Sequence, residues 1–173
     1  MDLEINGKVA LVCASSHGLG FATASRLARE GASVVVCGRD PVAVAAAHSE
    51  IAGRGSMVLG FAVNLTDADS RVKLTRDFET ALGTIDVAVL NTGGSPVGKC
   101  EGQTLDQWRD AYGNLLEPVT HLSQLARPGM ATKKWGHVLA VASYVAREPA
   151  ELMGPSNSLR AWVIWLKPTL ANE

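Results

Sequence analysis

The sequence predicts an α/β domain built as a doubly wound parallel sheet with helices on both faces. Short apolar runs of β-forming residues alternate with longer segments of helical period, the pattern of βαβ units around a parallel sheet. Each short run is nearly continuous in apolar residues, as a strand covered on both faces should be. The first run also leads through a glycine-rich turn straight into a helix. In that setting free backbone amides and the positive end of the helix dipole favour a bound phosphate.

The first strand is expected over Val9 to Cys13, followed by the turn Cys13-Ala14-Ser15-Ser16-His17-Gly18-Leu19-Gly20 and a helix from about Leu19 to Glu30. Gly31 stands just past that helix, where a left-handed cap is wanted. The second strand, Ser33 to Cys37, precedes a helix over Pro41 to Ala52, with proline in the first turn and Asp40 as its N-cap. Met57 to Val63 is the third strand, and Asp67 to Leu82 is the helix after it, ending before Gly83. Ile85 to Leu90 and His137 to Ala142 complete five strands. Between them a long helix is expected over Thr104 to Thr132, and a last helix runs from about Pro155, with Pro168 ending or kinking it near Lys167. No repeat or linker interrupts the pattern, so residues 1–173 read as one domain.

Composition narrows the function classes. The 173 residues are 47% hydrophobic, enough for one real core and too few for a second domain. The net charge of −1 and the scattered basic residues give no footprint for nucleic acid or an anionic membrane. Cys13, Cys37 and Cys100 lack metal-ligand spacing, and the first two fall inside apolar runs, which suits buried reduced thiols in a cytoplasmic protein. The start, Met1-Asp2-Leu3-Glu4, has no basic patch before an apolar stretch, and no apolar run approaches the roughly 20 residues that span a bilayer. A soluble, untargeted protein without a metal site is expected.

Several landmarks then appear in order. The spacing of Ala14, Gly18 and Gly20 resembles the Gly-x-x-x-Gly-x-Gly turn of the short-chain dehydrogenases/reductases, with alanine for the first glycine. Asn64-Leu65 is similar to the Asp-Val or Asp-Leu pair that flanks the adenine ring in that family. Asn91-Thr92-Gly93-Gly94 resembles its Asn-Asn-Ala-Gly, and Gly136 to Ser143 its Gly-Arg-Ile-Val-x-Ile-Ser-Ser strand. The resemblance runs from about Lys8 to the last residue and implies a Rossmann-like sheet of strand order 3-2-1-4-5. It also implies a dinucleotide held by Ala14, Ser15, Ser16, His17, Gly18, Leu19 and Gly20 at the phosphates, and by Asn64, Leu65, Asn91, Thr92 and Gly93 beyond them.

Cofactor choice is read at the end of the second strand. A carboxylate there binds the adenosine ribose of NAD, whereas an arginine pairs with the 2′-phosphate of NADP. This chain has Gly38 and then Arg39, with His17 where NADP-preferring relatives often carry a basic residue. NADP(H) is favoured over NAD(H), the alternative being that Arg39 is a solvated loop charge.

The catalytic positions depart from the family. Its Tyr-x-x-x-Lys falls on Ser156-Asn157-Ser158-Leu159-Arg160, and counting from Trp108 or from Gly136 puts its asparagine on Leu115. Serine is a far weaker acid than tyrosine and a shorter side chain, so Ser156 cannot protonate an alkoxide by the usual route. Asn114 is one helical step of about 100° away and is expected to point elsewhere. Ser143 keeps the family's carbonyl-orienting serine, or else only satisfies backbone at the strand end. Tyr144 is the best local proton source; His121 and His137 read as packing or surface residues. Arg160 keeps a charge and donors that suit the nicotinamide ribose. A divergent subgroup, 3-oxoacyl-carrier-protein reductase-like, is similar in its imperfect glycine turn, its Thr-Gly-Gly and its Ser-Asn-x-x-Arg.

Members of usual size continue with two more strands, a substrate-covering loop and a helix, so the resemblance implies a chain truncated before them. Leu159, Trp162, Val163, Leu166 and Leu170 recur at helical spacing, with Trp165 on another face. The family pairs its last two helices across a two-fold axis, which implies a homodimer or homotetramer through 104–132 and 155–173. Two functions stay open: an oxidoreductase acting with NADP(H) on a carbonyl (3-oxoacyl-like) or alcohol, and a dinucleotide-binding module without turnover.

Overall fold

The computed structural model describes residues 3–53 and 56–171; Met1 and Asp2 of the N-terminal reading lie outside them. The element order is β1 (Val9–Val12), α1 (Gly18–Arg29), β2 (Ser33–Gly38), α2 (Pro41–Ala52), β3 (Val58–Ala62), α3 (Ala68–Leu82), β4 (Val87–Leu90), α4 (Leu105–Leu115), α5 (Glu117–Lys133), β5 (His137–Ala140) and α6 (Gly154–Ala171). All pairings are parallel and the strands lie in the order β3-β2-β1-β4-β5. The parallel sheet is what the alternating pattern predicts, and its strand order is the one the family resemblance implies.

Alternation within each central strand divides the interior into two cores. Leu11, Cys13, Val35, Cys37, Ala88 and Leu90 face one way and pack with Leu74, Phe78, Leu115, Leu122, Leu159 and Val163. Ala10, Val12, Val34, Val36, Val87 and Val89 face the other way, toward Ala24, Ala28 and Ile51. Both faces of β1 and β4 are fully buried, whereas β3 and β5 are edges on which half-buried residues alternate with exposed ones and only Val58 is buried. The expected double cover therefore holds for the middle of the sheet only. Cys13 and Cys37 are buried as expected, and Cys100 is exposed.

Several helix limits follow from local chemistry. Asp40 accepts from the Val42 amide at 2.9 Å and caps α2, and Asp67 accepts from the Ser70 amide at 2.7 Å and caps α3. Thr104 and Gln107 form a reciprocal capping box at the start of α4. Gly31 carries the expected positive φ of 87°; Gly83 has φ 85° but ψ −176°, so it turns the chain outside the left-handed helical basin.

Two expectations are corrected. The single helix over Thr104 to Thr132 is two, broken at Leu116, because Pro118 has no amide to donate to the carbonyl of Asn114. The last helix continues past Pro168 to Ala171 instead of ending near Lys167. The proline removes one bond close to the helix end, and the Thr169 hydroxyl donates to the Trp165 carbonyl at 3.0 Å beside it. Leu159 and Val163 of this helix are buried, whereas Trp162 and Trp165 are 54% and 73% exposed. Among the described residues no helix is long and apolar enough to cross a membrane.

Candidate functional site

Order β3-β2-β1-β4-β5 reverses direction between β1 and β4, and the loops leaving the two strands there diverge. A crevice outside the carboxyl ends of the strands is the consequence in open sheets of this kind. A cleft of about 570 Å³ lies there, lined from the β1–α1 turn, the ends of β2, β3 and β4, and the α4–α5 junction. Among the described residues no carboxylate lines it, and His17 and Arg39 are its basic lining residues.

The β1–α1 turn is fixed from below. The buried Ser15 hydroxyl donates to the Val12 carbonyl at 2.6 Å and accepts from the Cys37 amide at 2.9 Å, while the Ser15 amide donates to the Cys37 carbonyl at 2.8 Å. These bonds bind the turn to the end of β2. Ala14 sits at φ 46°, the left-handed region where its family counterpart is glycine. Gly20 lets α1 close onto the turn, since a Cβ there would lie 2.2 Å from the Ala14 carbonyl oxygen. His17 occupies the N-cap of α1 without a side-chain bond to the helix, its Nδ1 lying 3.0 Å from the Ser16 hydroxyl. The first-turn amides thus have no capping side chain and no acidic residue beside them, the condition for receiving an anion.

Further walls come from three loops. Asn64 accepts from the Thr66 amide at 3.2 Å and from its hydroxyl at 3.0 Å, shaping the segment after β3. Asn91 reaches toward the Ala14 carbonyl at 3.5 Å, and the Thr92 hydroxyl donates to the Leu115 carbonyl at 3.4 Å. Asn114, expected to point elsewhere, lines the same cleft. It stands beside Gly93, near enough that a Cβ on Gly93 would meet the Asn114 Oδ1 in ordinary contact at 3.5 Å. Leu115 itself is buried in the core.

Eleven residues predicted from the sequence line the cleft: Ala14, Ser16, His17, Gly18, Leu19, Arg39, Asn64, Leu65, Asn91, Thr92 and Gly93. Ser15 and Gly20 lie beneath it and shape the turn. Arg160 is set apart: its Nη1 donates to the Val141 carbonyl at 3.1 Å and its Nη2 to the Gly93 carbonyl at 3.2 Å, tying the loops after β5 and β4 together. Burial pulls its guanidinium pKa below the usual value. Ser143, Tyr144 and Ser156 are not among the lining residues either. Ser143 begins a short turn over 144–146, Tyr144 is 71% exposed, and Ser156 is buried in the first turn of α6.

Gly38 and Gly94, named in the sequence landmarks but not as ligand-holding residues, also line the cleft, and residues that sequence reasoning passed over there include Val63, Thr66 and Pro118. Asn157 is another, exchanging bonds of 3.3 and 2.9 Å with the amide and carbonyl of Ala150 and so holding the 147–153 loop on α6. Pro118 was a readable signal, a proline inside a supposed helix. His121 accepts from Arg71 at 2.9 Å, and His137 stacks edge-on against Trp135, so both pack as expected.

Comparison with known proteins bears on this geometry. The sequence model of the short chain dehydrogenase family matches residues 8–173. Dehydrogenase/reductase SDR family member 4 of Bos taurus is 31% identical over 173 residues, covering 98% of this chain and 61% of its own length. Dehydrogenase/reductase SDR family member 2, mitochondrial, of Homo sapiens is 34% identical over 168 residues, covering 96% of this chain and 59% of that protein. The chain thus spans about three fifths of the length of these relatives. Among solved structures, L-sorbose reductase from Gluconobacter frateurii complexed with NADPH and L-sorbose superposes with a TM-score of 0.95 at 26% identity, covering 99% of this chain and 66% of that one.

Proposed function

Because the chain belongs to the short chain dehydrogenase family, we propose that its cleft binds NADP(H) in preference to NAD(H), and that it is an oxidoreductase acting on a small-molecule carbonyl, 3-oxoacyl-like, or on the corresponding alcohol. The observation that carries this reading is the cleft at the strand-order reversal, with the uncapped start of α1 at its centre and Arg39 and His17 among its lining residues. The residues fit a dinucleotide: free first-turn amides suit a pyrophosphate, and Gly20 permits the close approach of helix and turn that aims them. Arg39 and His17 supply donors for a 2′-phosphate, and Asn64 and Leu65 form a wall for the adenine.

When bound, the cofactor supplies the hydride. The protein's part is to orient the carbonyl and deliver the proton. Ser143 is the carbonyl-orienting hydroxyl in this reading, with Tyr144 or water as the proton source, since Ser156 replaces the family's tyrosine. Arg160 holds the loops that carry Gly93 and Val141, so its role at the nicotinamide end runs through Gly93. Self-association through α4, α5 and α6 belongs to the same proposal, supported by the exposed Trp162 and Trp165 and by Tyr112, whose ring lies 6.3 Å from that of Trp162. A cytoplasmic setting accords with three free thiols.

The position of Ser143, Tyr144 and Ser156 outside the lining favours a second reading, dinucleotide binding without turnover. Fluorescence titration with NADPH and NADH, beside an NADPH-oxidation assay over a panel of carbonyl compounds, separates the two. NADPH should bind more tightly than NADH, and Arg39→Glu should weaken NADPH by about tenfold or more while sparing NADH. Binding of neither nucleotide at millimolar concentration overturns both readings; binding with no turnover on any substrate leaves the second.

A further inference from the structure

We propose that Arg71 is a positioning residue for the adenine end of the cleft, its buried guanidinium holding the β3–α3 loop against α5 in the shape a nucleotide needs. The inference rests on the dinucleotide reading above and adds to it a residue outside the cleft.

Arg71 lies on α3 and is 1% exposed, the largest of the fully buried side chains. Removing a guanidinium from water is costly unless its donors are met. Here each nitrogen has an acceptor: Nη1 donates to the Leu65 carbonyl at 2.6 Å, Nη2 to Glu117 Oε1 at 2.5 Å, and Nε to His121 Nδ1 at 2.9 Å. Around it α3 and α5 bury Leu74 and Phe78 from one helix and Val119 and Leu122 from the other, together with Thr75 and Ser123, whose hydroxyls donate to carbonyls of their own helices. An aliphatic side chain would fill the position without the desolvation cost. What it would lack is the fork of donors, and that is what this position uses.

The three acceptors join two walls of the cleft. Leu65 lies in the β3–α3 loop with Asn64 and Thr66, all three of them lining residues. Glu117 adjoins Pro118, another lining residue, at the start of α5 just after the break that follows Asn114. The loop's own bonds are local, with Asn64 accepting from Thr66; the Arg71 bond to Leu65 is what carries it to α5. Because Glu117 neutralises Arg71 within the network, the clamp presents shape to the cleft without adding charge. A loop ordered before binding does not have to be ordered by the ligand, and the affinity kept in this way belongs to the part of the ligand that touches it.

The test splits the dinucleotide into halves. Wild type and Arg71→Met are titrated calorimetrically with ADP-ribose for the adenine half and nicotinamide mononucleotide for the other, with circular dichroism confirming the fold. Arg71→Met should weaken ADP-ribose by about tenfold, the order expected when one loop must be ordered on binding, and leave nicotinamide mononucleotide within about twofold. Arg71→Lys should share the loss, because a compact ammonium, though it has three N–H donors, cannot span acceptors that are met by three separate nitrogens of the guanidinium fork; full rescue by lysine overturns the clamp and leaves only a charge requirement. If Arg71→Met does not fold, Glu117→Ala removes one arm at a half-exposed position and should weaken ADP-ribose alone, by a smaller factor. Equal affinity of wild type and variants for ADP-ribose refutes the proposal while the dinucleotide reading stands. Failure of wild type to bind ADP-ribose or NADPH refutes both.

Discussion

Adding one methyl group at Gly20 should unfold the site from within. A Cβ at this position would lie 2.2 Å from the Ala14 carbonyl oxygen, 2.8 Å from its carbon and 2.9 Å from the Ser15 Cα, all of them backbone atoms that no rotamer change can move. Favourable contact needs at least 3.5 Å, so helix α1 and the turn must part by about 1 Å. Ser15 resists that movement, because its hydroxyl and amide anchor the turn to Val12 and Cys37. Overpacking of this kind costs about 2 kcal/mol, which lowers the melting temperature of a chain this size by roughly 4–8 °C. Gly113, within α4 and with nothing within 4 Å of its would-be Cβ, is the matched control. There the same substitution should stabilise by about 0.5–1 kcal/mol, since alanine loses less backbone entropy in a helix. Thermal melts of Gly20→Ala and Gly113→Ala by circular dichroism should move in opposite directions. A Gly20→Ala protein melting within about 1 °C of wild type would show that the turn and helix are not in rigid contact, and the reasoning would fail.

Asp86 is buried before β4, where its carboxylate accepts from the Val9 amide at 2.9 Å and from Lys133 Nζ at 2.8 Å. Asp86→Ala strands a buried amide and breaks the pair, so its urea midpoint should fall by the equivalent of about 3 kcal/mol; Asp86→Asn, which can still accept from Val9, should lose less. At the other end of the scale, the hydroxyl and amide of Ser70 hold the exposed Asp67 carboxyl below its usual value of 3.8. A depressed value in the folded state stabilises the protein above pH 3.8, and the contribution disappears as pH falls through the folded-state value. Any advantage of wild type over Asp67→Asn in thermal melts should therefore be present at neutral pH and vanish in acid; an advantage that grows on acidification would contradict the cap.

How much of this was legible depended on whether a signal was local. The three inner strands were readable because Val9–Val12, Ser33–Gly38 and Val87–Leu90 combine β-branched residues with nearly unbroken apolarity, and their central place in the sheet explains why. The β1–α1 turn was readable because its glycines sit between a strand and a helix, and Asp40 announced its helix by type and position. The break at Leu116 was missed although Pro118 was in view, because the apolar period runs across it unchanged.

Periodicity and turn chemistry act over a few residues, and through them the parallel sheet, its apolar inner strands and most lining residues of the cleft were already legible in the sequence. The residue types were equally plain, Ser156 being a serine where the family resemblance implies a tyrosine. Only the tertiary structure decided what distant side chains hold. It turned Asn114 toward Gly93, committed two arms of Arg160 to backbone carbonyls of separate loops, and buried Arg71 against Leu65, Glu117 and His121. Hydrogen bonds spanning 19 to 67 positions leave no periodic trace in the chain, because their partners meet only after the sheet has brought the loops together.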